Sequence, residues 1–407
     1  MMLVVSLDFR DYFDKSGSTA RYGLLLIPIG IVLLARLRRR HLLLRRWSAP
    51  DRLLFVLMVW GIVGSLYGKH HDHTASGALP VFVPMLIAFT YLLAETPPTD
   101  RECLRILNGI SIIGVVYAFM NSIANAGAHF IAAKTYRNSK ILYVTMGISA
   151  TYQLRRRRRL LLMLLLAGFI FVTYPSGTDV VVTVVGLATW FFTKPAGSPL
   201  RPAVVVTLGT FLLLLAIANF AASTGLAAEY FHAVGKKDNN NARVALYSAA
   251  VDQVKASPIY GTGFTGSITE LVIRQAGEGA AFKAPFHDDY LMIAANGGLL
   301  GLLLFVIWIA ATEINVLRRY RGFLNSREYP RAMLLRSLLV GFNTLFAAAL
   351  FNPELEAIGR GATVFGIYAL MMVLGQPARQ QPAAMPTQEA GRPQPLPMPM
   401  SARRAWS

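Results

Sequence analysis

The 407-residue chain has a single cysteine, Cys103, so it can close no intrachain disulfide and build no cysteine-cluster metal site. Charge is also scarce: 15% of residues are Asp, Glu, Lys or Arg, while 54% are hydrophobic. Soluble domains carry roughly 25% charged residues, so a soluble globular protein is excluded. Acidic residues are the scarcer sign, 21 against 40 Lys and Arg, leaving a formal net charge of +19. Such an excess would suit a nucleic-acid partner, but no polar domain interleaves aromatic and basic residues, and that partner is excluded too. The N-terminus lacks the basic segment of a cleavable signal peptide, so insertion is expected to rest on the spans themselves.

What the chain has instead is a succession of apolar runs, near 22–37, 53–67, 79–94, 104–124, 141–152, 160–174, 180–192, 203–222, 290–312, 334–351 and 363–374. They predict an all-α polytopic membrane protein with about 11 (10–12) transmembrane helices, some of them tilted or extended to cross roughly 30 Å of hydrocarbon. The basic residues fall between these runs. Arg36–Arg46, Arg155–Arg159, Lys194 with Arg201, and Arg318–Arg331 all lie on one side of an eleven-span count. That side is expected to be cytoplasmic. The division that results is 1–222, N-terminal spans; 223–289, a large, partly helical periplasmic loop; 290–375, C-terminal spans; and 376–407, a Pro- and Gln-rich disordered tail.

The long loop carries six basic and seven acidic residues, so particular side chains rather than net charge must give it any function. Asn239–Asn241 offers a helix N-cap, and Val244, Tyr247, Val251 and Val254 recur at helical spacing until Ser257-Pro258. A glycine-rich turn, Gly261–Gly266, precedes a second predicted short helix near 267–275. The loop ends in His287-Asp288-Asp289, at the mouth of an apolar run holding Gly297, Gly298 and Gly301. An ionisable cluster at a membrane boundary is a functional-site candidate.

A histidine titrating near neutrality suits a general base, and either aspartate is available to orient its ring. Arginine forks onto phosphate oxygens and keeps its charge at membrane depth. Arg243, Arg137, Arg360 and Arg274, with Lys69, lie on the loop-bearing side. Lys69–His73 (K-H-H-D-H) raises a metal site, but spacings of one and two residues do not gather the ligands on one helical face. No metal and no cofactor are expected.

From Arg243 to Val306 the pattern resembles the O-antigen ligase and O-antigen polymerase superfamily of bacterial surface-polysaccharide enzymes. The residues that carry the resemblance are Arg243 opening a helix, the turn Pro258-Ile-Tyr-Gly261-Thr-Gly263, and His287 at the mouth of the next span. The ligase pattern, His, then Asn, Ser or Gln, nine residues, Gly, two residues and a Gly-like position, is matched in spacing by His287, Asp288, Gly298 and Gly301. Two positions depart from it. Asp288 stands where relatives have a neutral side chain, which points to a divergent acceptor, and Ser176–Thr178 stands where they often have Ser-Arg.

The resemblance implies transfer of a glycan from undecaprenyl pyrophosphate to the hydroxyl of lipid A-core, or of a second lipid-linked glycan in a polymerase. It implies a multi-pass protein of the bacterial inner membrane in lipopolysaccharide biosynthesis, with membrane lipids as further partners and no metal required. Arg243 leads the pyrophosphate candidates by position. A flippase or transporter for the same lipids would show internal repeats and mid-span charges, and neither is seen. A non-catalytic scaffold would leave the His287 spacing a coincidence.

Overall fold

The computed structural model describes residues 47–67, 79–93, 240–264, 271–274, 281–284, 288–350 and 358–374, with isolated positions near 30–34, 102, 185–193 and 355. The expected spans at 22–37, 104–124, 141–152, 160–174, 180–192 and 203–222, and the tail, lie outside the described residues except at those isolated positions. The described part is helical. Its elements are α1 (Ala49–Tyr67), α2 (Leu79–Ile87) with a 3-10 turn at Thr90–Leu93, α3 (Asn240–Ala256), α4 (Asp289–Asn325), α5 (Tyr329–Ala349) and α6 (Ile358–Leu374). Two short strands, β1 (Leu271–Arg274) and β2 (Ala281–Ala284), lie between α3 and α4. Among the described residues, α1, α4 and α5 are long and apolar enough to cross a membrane, while Val81–Leu92 and Thr363–Leu374 are shorter apolar helices.

Helix α1 begins where a carboxylate in its first turn reaches back to the residue before the helix. Asp51, the third helical residue, accepts the Ser48 N–H at 2.6 Å, and Pro50 sits in the first turn, where no N–H is needed. The other Asp51 oxygen accepts the Tyr368 hydroxyl at 2.6 Å, which fastens the start of α1 to α6 with no exposed carboxylate surface. Arg319, late in α4, donates to the Met372 carbonyl at 3.2 Å. The start of α1 and the ends of α4 and α6 therefore gather at one face.

Buried Arg336 belongs to the neighbouring junction. Its Nε donates to Thr193 Oγ1 at 2.9 Å, a terminal nitrogen donates to the Trp190 carbonyl, and its guanidinium lies 4.8 Å from the Trp190 ring centre. Fixed carbonyl and hydroxyl acceptors replace the water such a cation gives up.

The core between α4, α5 and α6 is aromatic. Trp308 is fully buried, with Phe305, Phe342, Phe346, Phe365 and Tyr368 at centroid distances of 5.4–5.9 Å in tilted or edge-on arrangements. Large flat groups fill the space between helices and favour these geometries.

Three expectations change. The run Leu271–Arg274 is a strand, not part of a helix: it pairs antiparallel with β2, Leu271 opposite Ala284 and Arg274 opposite Ala281. Val272 and Ile273 are β-branched, and Gly277 and Gly279 stand between the two runs, which is hairpin chemistry. Second, α3 spans the expected residues, but among its described side chains Ala250 is the buried one and Val251 faces outward. Third, the basic stretch after the apolar run of α4 is helix rather than loop. α4 has 37 residues and continues through Arg318, Arg319 and Arg321 to Asn325. Charge ends an apolar run without ending a helix, because arginine is a good helix former.

What stops α4 is a left-handed residue. Arg327 has φ 62°, and Arg327 and Glu328 donate their N–H groups to the carbonyls of Leu324 and Phe323 at 3.2 and 2.8 Å. This is the two-bond helix stop usually built on glycine. An arginine there carries a Cβ penalty, so Arg327→Gly is expected to stabilise the full chain by about 1 kcal/mol. A thermal-unfolding midpoint in detergent that falls on this substitution would contradict the assignment.

Candidate functional site

Helix α4 is broken nine residues after its N-terminal end. Gly298 adopts φ 70° and ψ 178°, an extended conformation at positive φ, so the helix is interrupted for one residue and resumes. A break of this kind strips hydrogen-bond partners from carbonyls before it and from an N–H after it. A buried backbone group left unmatched costs about 1–3 kcal/mol, and Ala295, Asn296, Gly297 and Gly298 are all buried.

The turn that follows α3 supplies the partners. Thr262 N–H donates to the Ala295 carbonyl at 3.0 Å and Gly263 N–H to the Asn296 carbonyl at 2.9 Å, while the Pro258 carbonyl accepts the Leu299 N–H at 2.7 Å. Thr262 Oγ1 reaches the Ala295 carbonyl as well, at 3.3 Å. The two short motifs that stood apart in the sequence, Pro258–Gly263 and Gly298–Gly301, are thus two halves of one backbone clamp. Proline suits the first half because its own role is to offer a carbonyl. The glycines are there for space and sign of φ. Gly261 and Gly263 have φ of 71° and 92°, and a Cβ on Gly261 would overlap the Asn296 carbonyl. A Cβ on Gly298 would overlap the carbonyl of Ile259.

Helix α1 closes the clamp from a third side. Trp60 donates its indole N–H to the Gly297 carbonyl at 2.8 Å and stacks on Tyr260, ring centres 5.7 Å apart. Ser65 Oγ accepts the Phe264 N–H at 3.0 Å. Gly301 lies against the Trp60 indole, and Gly263 comes so close to the Gly64 carbonyl that a Cβ would stand 2.8 Å from it.

At the entrance to α4 the two aspartates do different work. Asp288 is the N-cap: its Oδ1 accepts the N–H groups of Tyr290 and Leu291 at 2.9 and 3.1 Å. Burial raises its pKa above the ordinary 3.8, and the two backbone hydrogen bonds offset part of that rise. Asp289 is fully buried, and its Oδ2 accepts the Leu355 N–H at 2.8 Å. That bond joins the start of α4 to the segment leading into α6.

Residues 130–306 match the family model described as O-antigen ligase. Both halves of the clamp and the entrance to α4 lie inside the match. The matched residues are similar to an O-antigen ligase domain, and the match supports the resemblance to the O-antigen ligase and polymerase superfamily. No curated protein matches the chain.

Within the matched residues the structure brings Pro258, Gly261, Gly263, Gly298 and Gly301 together and sets Asp288 and Asp289 at the mouth of the same helix. Arg243 lies in the first turns of α3, Arg274 on β1 opposite Ala281, and Arg360, beyond the match, in the first turn of α6. His287, Arg137 and Lys69 lie outside the described residues.

Sequence reading missed the part played by Trp60 and Ser65 and the Asp289–Leu355 bond. Gly61, Gly64 and Ser65 signal a face that another chain segment approaches closely, but not which segment. The N-cap also gives the departure at Asp288 a local reason. Asp, Asn and Ser all cap helices well, and the aspartate here caps α4.

Gly298→Ala is expected to lower stability by more than about 2 kcal/mol, since an alanine held in this glycine-only region costs about 1–3 kcal/mol and its Cβ meets a carbonyl. Gly301→Ala meets only ordinary contacts, 3.4–3.5 Å from the indole, and is expected to be mild. Thermal unfolding in detergent and proteolytic nicking of the 257–288 segment distinguish the two. Equal behaviour of both variants would remove the clamp as the reason for Gly298.

A raised Asp288 pKa means that the folded state binds this proton more tightly than the unfolded one. The contribution is full below the unfolded value and is lost as pH rises through the folded value. Asp288→Asn keeps the cap and removes that loss, so it should match wild type near pH 3.5 and be the more stable protein at pH 7. Asp288→Ala should lose about 1 kcal/mol of capping. Unfolding midpoints measured between pH 3.5 and 7 check both.

Proposed function

We propose that the chain is an O-antigen ligase-type glycosyltransferase. It would move a glycan from undecaprenyl pyrophosphate to an acceptor hydroxyl, lipid A-core, at the periplasmic face of the inner membrane. The observation that supports this most is the backbone clamp. The turn motif and the helix motif shared with the family are held against each other, and the helix they brace opens two residues after His287 in sequence. A base so placed would meet a lipid-linked donor whose head group lies at the membrane surface.

In this reading the acceptor oxygen attacks the anomeric carbon as the bond to the pyrophosphate oxygen breaks. His287 takes the hydroxyl proton, and Arg243, with Arg137, Arg274, Arg360 and Lys69 as further candidates, binds the departing pyrophosphate. Proton removal by a placed base contributes on the order of 10²–10⁴ in rate. Cationic stabilisation of the leaving group is worth several kcal/mol where water is partly excluded. The donor brings its own leaving group, so no cofactor is needed.

The test is complementation of a deletion strain, with surface glycan resolved on a gel. Deletion should leave a bare core and long polymer on the lipid carrier, the wild-type chain should restore ligation, and His287→Ala should reduce it by at least about 10²-fold. A single repeat attached to core after deletion would assign polymerisation instead. Full complementation by His287→Ala would remove the base assignment.

A further inference from the structure

Asp289 stands two residues after His287, is fully buried, and accepts the Leu355 N–H at 2.8 Å. Leu355 is itself fully buried and folds back on the start of α6, its carbonyl 3.0 Å from where a Cβ on Gly361 would stand. Pro84 of α2 packs on the same glycine, with its ring carbons 3.2–3.3 Å from that point. Arg360 is the residue before Gly361 and lies in the first turn of α6. A short chain of contacts, Asp289 to Leu355 to Gly361, therefore fixes the first turn of α6 to the entrance of α4. Tyr290 adds a second tie to the neighbouring element by donating its hydroxyl to the Phe346 carbonyl of α5 at 3.3 Å.

We propose that Asp289 is a positioning residue: by holding the Leu355 N–H it ties the first turn of α6, which carries Arg360, to the entrance of α4. The inference rests on the roles proposed above for His287 and Arg360. It differs from a catalytic role in what it asks of the side chain. The joint needs a hydrogen-bond acceptor of aspartate length, whereas orienting or charging an imidazole needs the negative charge.

The experiment uses the full-length chain in detergent, with undecaprenyl pyrophosphate as the binding probe and a lipid-linked glycan with lipid A-core for turnover. Asp289→Asn keeps an oxygen for Leu355, and its affinity for the probe and its pH–rate profile are expected to stay within about threefold of wild type. Asp289→Ala is expected to weaken probe binding about 10-fold or more and to raise KM for the donor more than it lowers kcat. Arg360→Ala should weaken binding to a similar degree, and the double variant Asp289→Ala with Arg360→Ala should be little worse than Arg360→Ala alone.

An Asp289→Asn variant as impaired as Asp289→Ala, with a displaced pH–rate profile, would show that the charge matters and overturn the positioning role. Wild-type affinity in Asp289→Ala, or additive losses in the double variant, would overturn it as well. Should Asp289→Ala fail to fold, Asp289→Asn and Arg360→Ala alone still decide: a weakened Asp289→Asn refutes the joint. Because probe binding is read without turnover, a fully active His287→Ala would refute the base assignment while leaving this test in force.

Discussion

Everything around the candidate site depends on a helix that is broken and then repaired from outside. Gly298 takes α4 out of helical geometry in a buried setting, where unmet carbonyl and N–H groups are costly. The repair comes from backbone of the 258–263 turn and from the Trp60 indole. Because backbone groups make most of these bonds, side-chain identity matters little there except where a side chain must be absent. This is why a proline and glycines at fixed spacing are prominent among the residues that carry the resemblance.

The two faces of the described helices are built on different chemistry. One gathers Asp51, Tyr368, Arg319 and Arg336, whose hydrogen bonds to hydroxyls and backbone carbonyls hold helix ends together. The other gathers the clamp, the Asp288 cap and the Asp289–Leu355 joint. Between them lies an aromatic core centred on Trp308. Polar bonding at the two ends and dispersion in the middle keep α4, α5 and α6 in one arrangement, and the site inherits its geometry from that frame.

Much of this was legible in the sequence, and what was not had identifiable causes. Apolar runs located α1, α4, α5 and α6 because hydrocarbon demands length and low polarity. Their ends were misread at Arg318–Arg321 because hydropathy reports where a membrane stops, not where hydrogen bonding does. The spacing of His287, Gly298 and Gly301 flagged the right helix, and Pro258–Gly263 the right turn. That the two meet could not be read, since contacts between distant segments leave no local period. The strand at Leu271–Arg274 was written in β-branched residues and overlooked in favour of the helical setting around it. Asp289 read as one of a pair of equivalent carboxylates, although only Asp288 follows a local pattern, the N-cap. The partner of Asp289 lies 66 residues further on.

The 37-residue length of α4 has one more consequence. The break at Gly298 leaves residues 299–325 as its unbroken part, about 40 Å long at about 1.5 Å per residue, a rod that runs from the clamp to the opposite face. A rod has little torsional slack. The Arg319 bond to Met372 at one end and the packed Trp308 midway set the angle at which it stands, and with it the compass bearing of the clamp at the other end. A shift in how α6 sits at the basic face would therefore reach the clamp as rotation about the helix axis, with the Gly298 break standing between that rotation and Asp289.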